Sequence, residues 1–204
     1  MFNRQKEICA KGSIRFSNEH FYIKRYGQAL KIKTDNKRFQ FDKTGIFWIN
    51  VKGSVHEQRN ENKTEALMAI RLAKYLHEKY PDASIGIVTP FKHQNELIFQ
   101  EMDDSLRSAI QVDTVHKYQG DEKDIIICSL VVTYGCKPSL YRFINERARN
   151  LINVAITRAR GALYIVGDWE FCYSLNRTLL SELADYVKNL NKVIEPEHLR
   201  EGES

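Results

Sequence analysis

Asp124-Ile125-Ile126-Ile127-Cys128-Ser129-Leu130-Val131-Val132 is the stretch that decides how this chain folds. It is apolar and β-branched almost without a break, so it reads as a strand with no face reserved for water. A strand with one wet face alternates apolar and polar residues. A run without alternation belongs in the middle of a parallel sheet, covered by helices on both sides. The stretch therefore predicts a buried central strand over 124–132 and an α/β fold around it.

The flanking sequence supplies the rest of such a fold. Upstream, Ile110-Gln111-Val112 opens a short strand, and Ile85-Gly86-Ile87-Val88-Thr89 is an apolar strand stopped by Pro90. Further back, Ile46-Phe47-Trp48-Ile49-Asn50-Val51 follows a Thr44-Gly45 turn. Downstream, Ala162-Leu163-Tyr164-Ile165-Val166 is closed by Gly167-Asp168. Helical signals lie between the strands. From Asn62 to Leu76 the apolar positions 66, 69, 70, 73 and 76 share one face, and Asn62 with Glu65 forms a capping-box-like start. Residues from Lys92 to Met102, 147–160 and Asn176 to Leu190 read as further helices, with fraying expected beyond Glu195. Strands alternating with helices imply βαβ units. Ligands in such sheets gather at the carboxyl ends of the strands, so the motif-bearing loops are expected to share that edge. With no repeat and no low-complexity linker, the expected organisation is one domain over 46–190. It is preceded by an N-terminal extension or lead-in segment over 1–45 and followed by a polar tail over 191–204.

Composition excludes some classes. The chain has 204 residues, 43% hydrophobic and 28% charged, as expected of a globular domain. No apolar run approaches the roughly 20 residues of a membrane span, and the opening Met1-Phe2-Asn3-Arg4-Gln5-Lys6 lacks a signal-peptide core. A cytoplasmic (intracellular) protein with no membrane partner is the expectation. Cys9, Cys128, Cys136 and Cys172 are scattered, without metal-ligand spacing, so structural or incidental roles and no bound metal are expected. The net charge of +5 is compatible with binding a phosphate backbone without establishing it. Arg142, Arg147, Arg149, Arg158 and Arg160 fall close together, which on charge alone equally describes a solvated helix face.

The sequence has no G-x-x-x-x-G-K-[S/T] phosphate loop, and no apolar strand ends in an Asp-Glu pair that would hold Mg²⁺. By itself the chain is expected not to hydrolyse ATP. Yet Val112-Asp113-Thr114-Val115-His116-Lys117-Tyr118-Gln119-Gly120-Asp121-Glu122-Lys123-Asp124 resembles motif V of superfamily 1 helicases. Asn153-Val154-Ala155-Ile156-Thr157-Arg158-Ala159-Arg160 resembles motif VI, and Ile85–Gln94 resembles motif IV. Asn62-Lys63-Thr64-Glu65-Ala66, Phe16-Ser17-Asn18-Glu19-His20-Phe21-Tyr22 and Gly167-Asp168-Trp169-Glu170-Phe171 are similar to segments of the Dna2 and nonsense-mediated-decay branch. The resemblance covers roughly residues 13–190.

That resemblance implies a RecA-like (P-loop NTPase-like) parallel sheet flanked by helices, without the P-loop, serving as the second of two motor domains. ATP with Mg²⁺ would be a cofactor of the parent protein, held mainly by its first RecA-like motor domain. The partners implied are that domain and single-stranded DNA or RNA, tracked 5′ to 3′. Arg158 matches the family's arginine finger, and Glu122 a residue that hydrogen-bonds the nucleotide ribose. Gln119 and Gly120 would shape the loop between nucleotide and strand-binding surface. Lys63 stands where the branch usually has an arginine reaching the γ-phosphate; it keeps the charge but not the bidentate fork. Thr89, Pro90, Thr114 and His116 match the single-strand track. Structural readings stand beside these: an ordinary helix-start lysine at 63, a solvated acid at 122, loop hydrogen bonds at 114 and 116. Phe91 and Tyr118 read as base-stacking or core aromatics.

The sequence departs from the family at Asn150 and Leu151, where two arginines are usual, and in its first 12 residues. Two other functions compete with the helicase reading. One is a stand-alone module that binds nucleic acid or a partner without ATP, which has no need of Thr157-Arg158-Ala159. The other is a UvrD/RecD-type helicase domain, which Asn62–Ala66 and Trp169–Phe171 argue against.

Overall fold

A computed structural model describes residues 15–23, 44–56, 58–114, 122–147 and 149–199. Among the described residues six strands form one sheet: β1 (Gly45–Asn50), β2 (Ile85–Thr89), β3 (Gln111–Thr114), β4 (Lys123–Ser129), β5 (Ala159–Gly167) and β6 (Val193–Ile194). The spatial order is β3-β2-β4-β5-β1-β6, and every pairing is parallel. β4 lies between β2 and β5, which is the central place its composition predicts.

Successive side chains of a strand point to opposite faces, so an unbroken apolar strand feeds two cores. Ile126 and Cys128 of β4 pack on one side and Ile125 and Ile127 on the other. The second face is covered by α1 (Lys63–Lys79), α2 (Lys92–Glu101) and α3 (Asp104–Ala109), through residues such as Leu72, Ile98 and Leu106. The first face is covered by α4 (Pro138–Arg142), α5 (Arg149–Arg158), α6 (Trp169–Ser174) and α7 (Leu179–Asn189). The fold is thus the α/β, RecA-like parallel sheet flanked by helices that the sequence implied.

Three local outcomes differ from the sequence expectations. β4 stops at Ser129 instead of running to Val132. Leu130 still donates to Val166 O at 3.2 Å, but Val131 turns left-handed at φ 68°, a conformation a β-branched residue adopts only under constraint. The helix expected over 176–190 is the second of two. Asp168 caps α6, and a Thr178–Ser181 capping box starts α7, whose Leu179, Leu180, Leu183, Ala184 and Val187 are all buried. Thr178→Ala is expected to cost about 1 kcal/mol, measured as a lowered urea midpoint with an unchanged slope. Finally, the chain beyond Glu195 does not fray at once. Val193 and Ile194 pair with Trp48 and Ile49, Glu195 accepts from Asn50 Nδ2 at 2.9 Å, and Pro196–Leu199 closes a 3₁₀ turn.

Part of the lead-in segment also packs on the body. Phe16 and Ser17 are fully buried, and the Phe16 ring stacks on His20 with centroids 4.0 Å apart. Ser17 Oγ donates to Asn153 Oδ1, and Asn153 Nδ2 donates to Tyr22 Oη at 3.1 Å. Residues 15–23 thereby grip α5.

Candidate functional site

A parallel sheet has two chemically distinct edges, and the register shows which residues occupy each. Lys123 of β4 pairs with Ala159 of β5. Glu122 and Arg158 immediately precede those positions, so both stand at the amino edge. Thr89 and Thr114 end β2 and β3 in register with each other, at the carboxyl edge. Thr89-Pro90, Gly167-Asp168 and the segment after Leu130 share the carboxyl edge as expected, whereas Glu122 and Arg158 stand at the other. The described ends of motif V stand at opposite edges, Thr114 at one and Glu122 at the other.

At the amino edge α5 runs straight into β5, so Arg158 is the last helical residue and Arg160 the second of the strand. Arg160 Nε donates to Glu122 Oε2 at 3.1 Å, and its Nη1 lies 3.6 Å from Asp124 Oδ1. Arg158 Nη1 approaches Glu122 Oε1 only to 4.0 Å. Asp124 is fixed in turn, its Oδ2 accepting from Ser84 N and Ser84 Oγ at 2.8 Å each. The pairs of Glu122 with Arg158 and Arg160 are partly exposed and contribute little to stability, while Asp124 beside them is buried. Arg158 carries a further sign. Its Nε is buried without a hydrogen-bond partner, while the side chain as a whole remains 30% exposed. Buried donors are nearly always satisfied, so the orphan leaves a half-open guanidinium with a donor that an anion could meet, although Asp124 Oδ1 in the same cluster is also buried without a hydrogen-bond partner. The residues therefore fit a nucleotide's phosphates. They do not offer a free acidic pair for Mg²⁺, because Glu122 and Asp124 are both engaged by Arg160. Arg160 was not among the residues the sequence nominated, although it sits two positions past Arg158 in the same motif.

The carboxyl edge is drier than the sequence implied. Thr89 and Pro90 are buried, and Thr89 Oγ1 accepts weakly from Phe91 N at 3.4 Å. Phe91 is a core aromatic, its ring 5.7 Å from that of Phe143. Thr114 is partly buried. Lys63, in the first turn of α1, is also at this edge, because α1 follows β1. Its side chain is 66% exposed, pairs with Glu101 at 3.0 Å and borders an open hollow of about 690 Å³ with His56 and Thr64. The structure does not bring Lys63 to Arg158. His116, Tyr118, Gln119 and Gly120 lie outside the described residues.

A buried polar network behind this edge was not legible as a site. Asn62 caps α1 by accepting from Glu65 N at 3.1 Å. Gln94 Oε1 accepts from Asn62 N at 2.8 Å, and Gln94 Nε2 donates to Ser129 Oγ at 3.0 Å. Ser129 Oγ donates to Glu65 Oε1 at 2.6 Å, and Val131 N donates to the same oxygen at 2.7 Å. Glu65 is fully buried. Burial pushes its carboxyl up to about 8, with the charge of Asp168 adding to the rise and the Ser129 and Val131 hydrogen bonds opposing it. Its Oε2 has no hydrogen-bond partner. The sequence showed Glu65 only as a capping residue; its reach across to β4 depends on the tertiary fold.

A family model described as an AAA domain matches residues 9–170. The chain belongs to that family. Among related proteins, the probable helicase senataxin of Mus musculus is 33% identical over 81% of this chain and 6% of its own length. The DNA replication ATP-dependent helicase/nuclease of Xenopus laevis is 33% identical over 65% of the chain and 12% of its own length. Regulator of nonsense transcripts 1 of Dictyostelium discoideum is 31% identical over 75% of the chain and 12% of its own length. The chain is thus a superfamily 1 helicase domain of the Dna2 and nonsense-mediated-decay type, corresponding to a small part of each of these relatives. Among the described residues no helix is long and apolar enough to cross a membrane.

Proposed function

We propose that this helicase domain is the second motor domain of an ATP-dependent superfamily 1 helicase. In this reading the amino edge meets nucleotide held by a first motor domain, and the carboxyl edge meets single-stranded DNA or RNA. The observation that carries the proposal is the orphaned Nε of the Arg158 guanidinium, whose Nη1 is only loosely paired at 4.0 Å from Glu122 Oε1. ATP bound in the cleft supplies the phosphoryl group that passes to water.

Arg158 offers planar N–H donors to the oxygens on which charge spreads during that transfer, from a seat already fixed by α5 and β5. Glu122 accepts a ribose hydroxyl, and its engagement there loosens what remains of its hold on Arg158. Arg160 keeps Glu122 oriented while Asp124 keeps Arg160 in place. Gln119, Gly120 and His116 belong to the sequence between Thr114 and Glu122, the part of motif V that links the nucleotide to the strand-binding surface. Thr89 and Pro90 shape the end of β2 that faces the strand. Lys63 adds positive charge in the first turn of α1, where the branch usually has an arginine for the γ-phosphate. Residues 46–190 carry most of the motor domain, with Phe16 of the lead-in and β6 of the tail packed into the same body.

The test is reconstitution. The chain alone is expected to show no ATP hydrolysis. Combined with a first motor domain that carries a phosphate loop, it is expected to give hydrolysis stimulated by single strands. A partner domain equally active without this chain would sink the proposal. So would a chain that hydrolyses ATP unaided.

A further inference from the structure

We propose that Tyr134 is a stacking platform for one base of the bound strand, an inference that rests on the nucleic-acid reading above. Tyr134 follows β4 at the carboxyl edge, the edge that Thr89 and Thr114 share, and its side chain is 85% exposed. A lone exposed tyrosine is ordinary. The way this one is seated is not.

Asp168, only 3% exposed, holds the backbone on both sides of an aromatic pair. Its Oδ2 accepts from Thr133 Oγ1 at 2.7 Å and from Tyr134 N at 3.2 Å. Its Oδ1 accepts from Phe171 N at 3.0 Å. One buried carboxylate thus sets the positions of Tyr134 and Phe171, whose rings meet at 90° with centroids 6.2 Å apart. Phe171 is braced from another side by Tyr141 at 6.0 Å. The backbone that carries the exposed ring is therefore fixed before any ligand arrives, and a tyrosine has few rotamers to lose on binding. Beside it, Ser54, Asn60 and Lys137 contribute to a hollow of about 130 Å³ that gives a splayed base somewhere to sit.

An exposed aromatic on a fixed backbone, with polar and basic neighbours, is the arrangement by which sequence-tolerant single-strand binders hold bases. The protein-contact alternative is the less favoured. A docking face for another domain would bury several apolar residues together, whereas Tyr141 and Phe171 are already turned inward against their neighbours.

The test compares the 204-residue chain with Tyr134→Ala and Tyr134→Trp in binding fluorescein-labelled oligothymidine. A strand of the same length built from abasic units, which keeps the phosphates and lacks the bases, serves alongside. Tyr134→Ala is expected to weaken oligothymidine binding about 5- to 100-fold, without changing the salt slope, because no phosphate contact is lost. On the abasic strand, wild type and Tyr134→Ala should bind alike. Tyr134→Trp should retain affinity, and its added fluorescence should be quenched by oligothymidine but not by the abasic strand. Equal oligothymidine affinities for wild type and Tyr134→Ala overturn the platform while leaving the nucleic-acid reading intact. The platform is equally overturned if Tyr134→Ala impairs only association with a first motor domain, since the residue is then a protein contact. A wild-type chain with no salt-dependent affinity for either strand removes the nucleic-acid reading itself.

Discussion

Arg158→Ala, in the chain combined with a first motor domain, is expected to lower strand-stimulated ATP turnover by about 10³-fold or more. The loss should fall on kcat more than on KM, because the guanidinium is most needed where charge develops on the transferring phosphoryl group. Arg158→Lys should recover little: an ammonium supplies one point of charge and none of the planar fork. The stability of the variant should barely change. The side chain is 30% exposed and its contact with Glu122 is long, so removing it sacrifices no strong pair and eliminates a buried donor that lacked a partner. Arg160→Ala is the proper comparison, since it disturbs the same cluster through Glu122 and Asp124 without removing the finger. Retention of wild-type turnover within about threefold by Arg158→Ala would refute the assignment, given how large such contributions are.

Much of the fold was legible because the strands advertise burial on both faces. Ile125, Ile126, Ile127 and Cys128 left no polar face, and the sheet duly feeds two cores. The strand's end was not legible. Val131 and Val132 look like more strand, but the Val131 N–H is claimed by Glu65, 66 residues upstream in sequence, and no local pattern reports that bond. The two-edged site was half legible. Glu122 and Arg158 each stand just before a strand, which places them at the amino edge; the general rule about carboxyl-edge loops obscured this. Arg160 was hidden by the prominence of its neighbour two positions earlier. The late packing of Val193, Ile194 and Leu199 was masked by the polar residues around them. In each case the missing information was a tertiary partner, either the strand beside which a residue falls or the side chain that meets it.

Glu65 yields the second large effect, through pH. Its carboxyl rises from an ordinary 4.5 to about 8 on folding, because burial disfavours the charged form. Below the lower value both the folded and the unfolded chain hold the proton, so the group adds no pH dependence. Between the two values the unfolded chain has released its proton and the folded chain has not, so stability falls as pH rises. Above the upper value the penalty is complete, on the order of 5 kcal/mol at roughly 1.4 kcal/mol per unit. Glu65→Gln cannot ionise, yet keeps an oxygen where Ser129 Oγ and Val131 N donate. Its thermal midpoint is therefore expected to decline less than that of wild type between pH 6 and 9, with the two converging toward pH 4.5. Glu65→Ala should be less stable than either at pH 6, by several kcal/mol, because two buried donors lose their acceptor at about 1–3 kcal/mol each. It also releases Val131 from its left-handed turn, and with it the segment that leads through Thr133 to Tyr134. Parallel pH profiles for wild type and Glu65→Gln would mean that Glu65 folds in its charged form. The turn after β4 would then be held by a carboxylate rather than by a neutral acid.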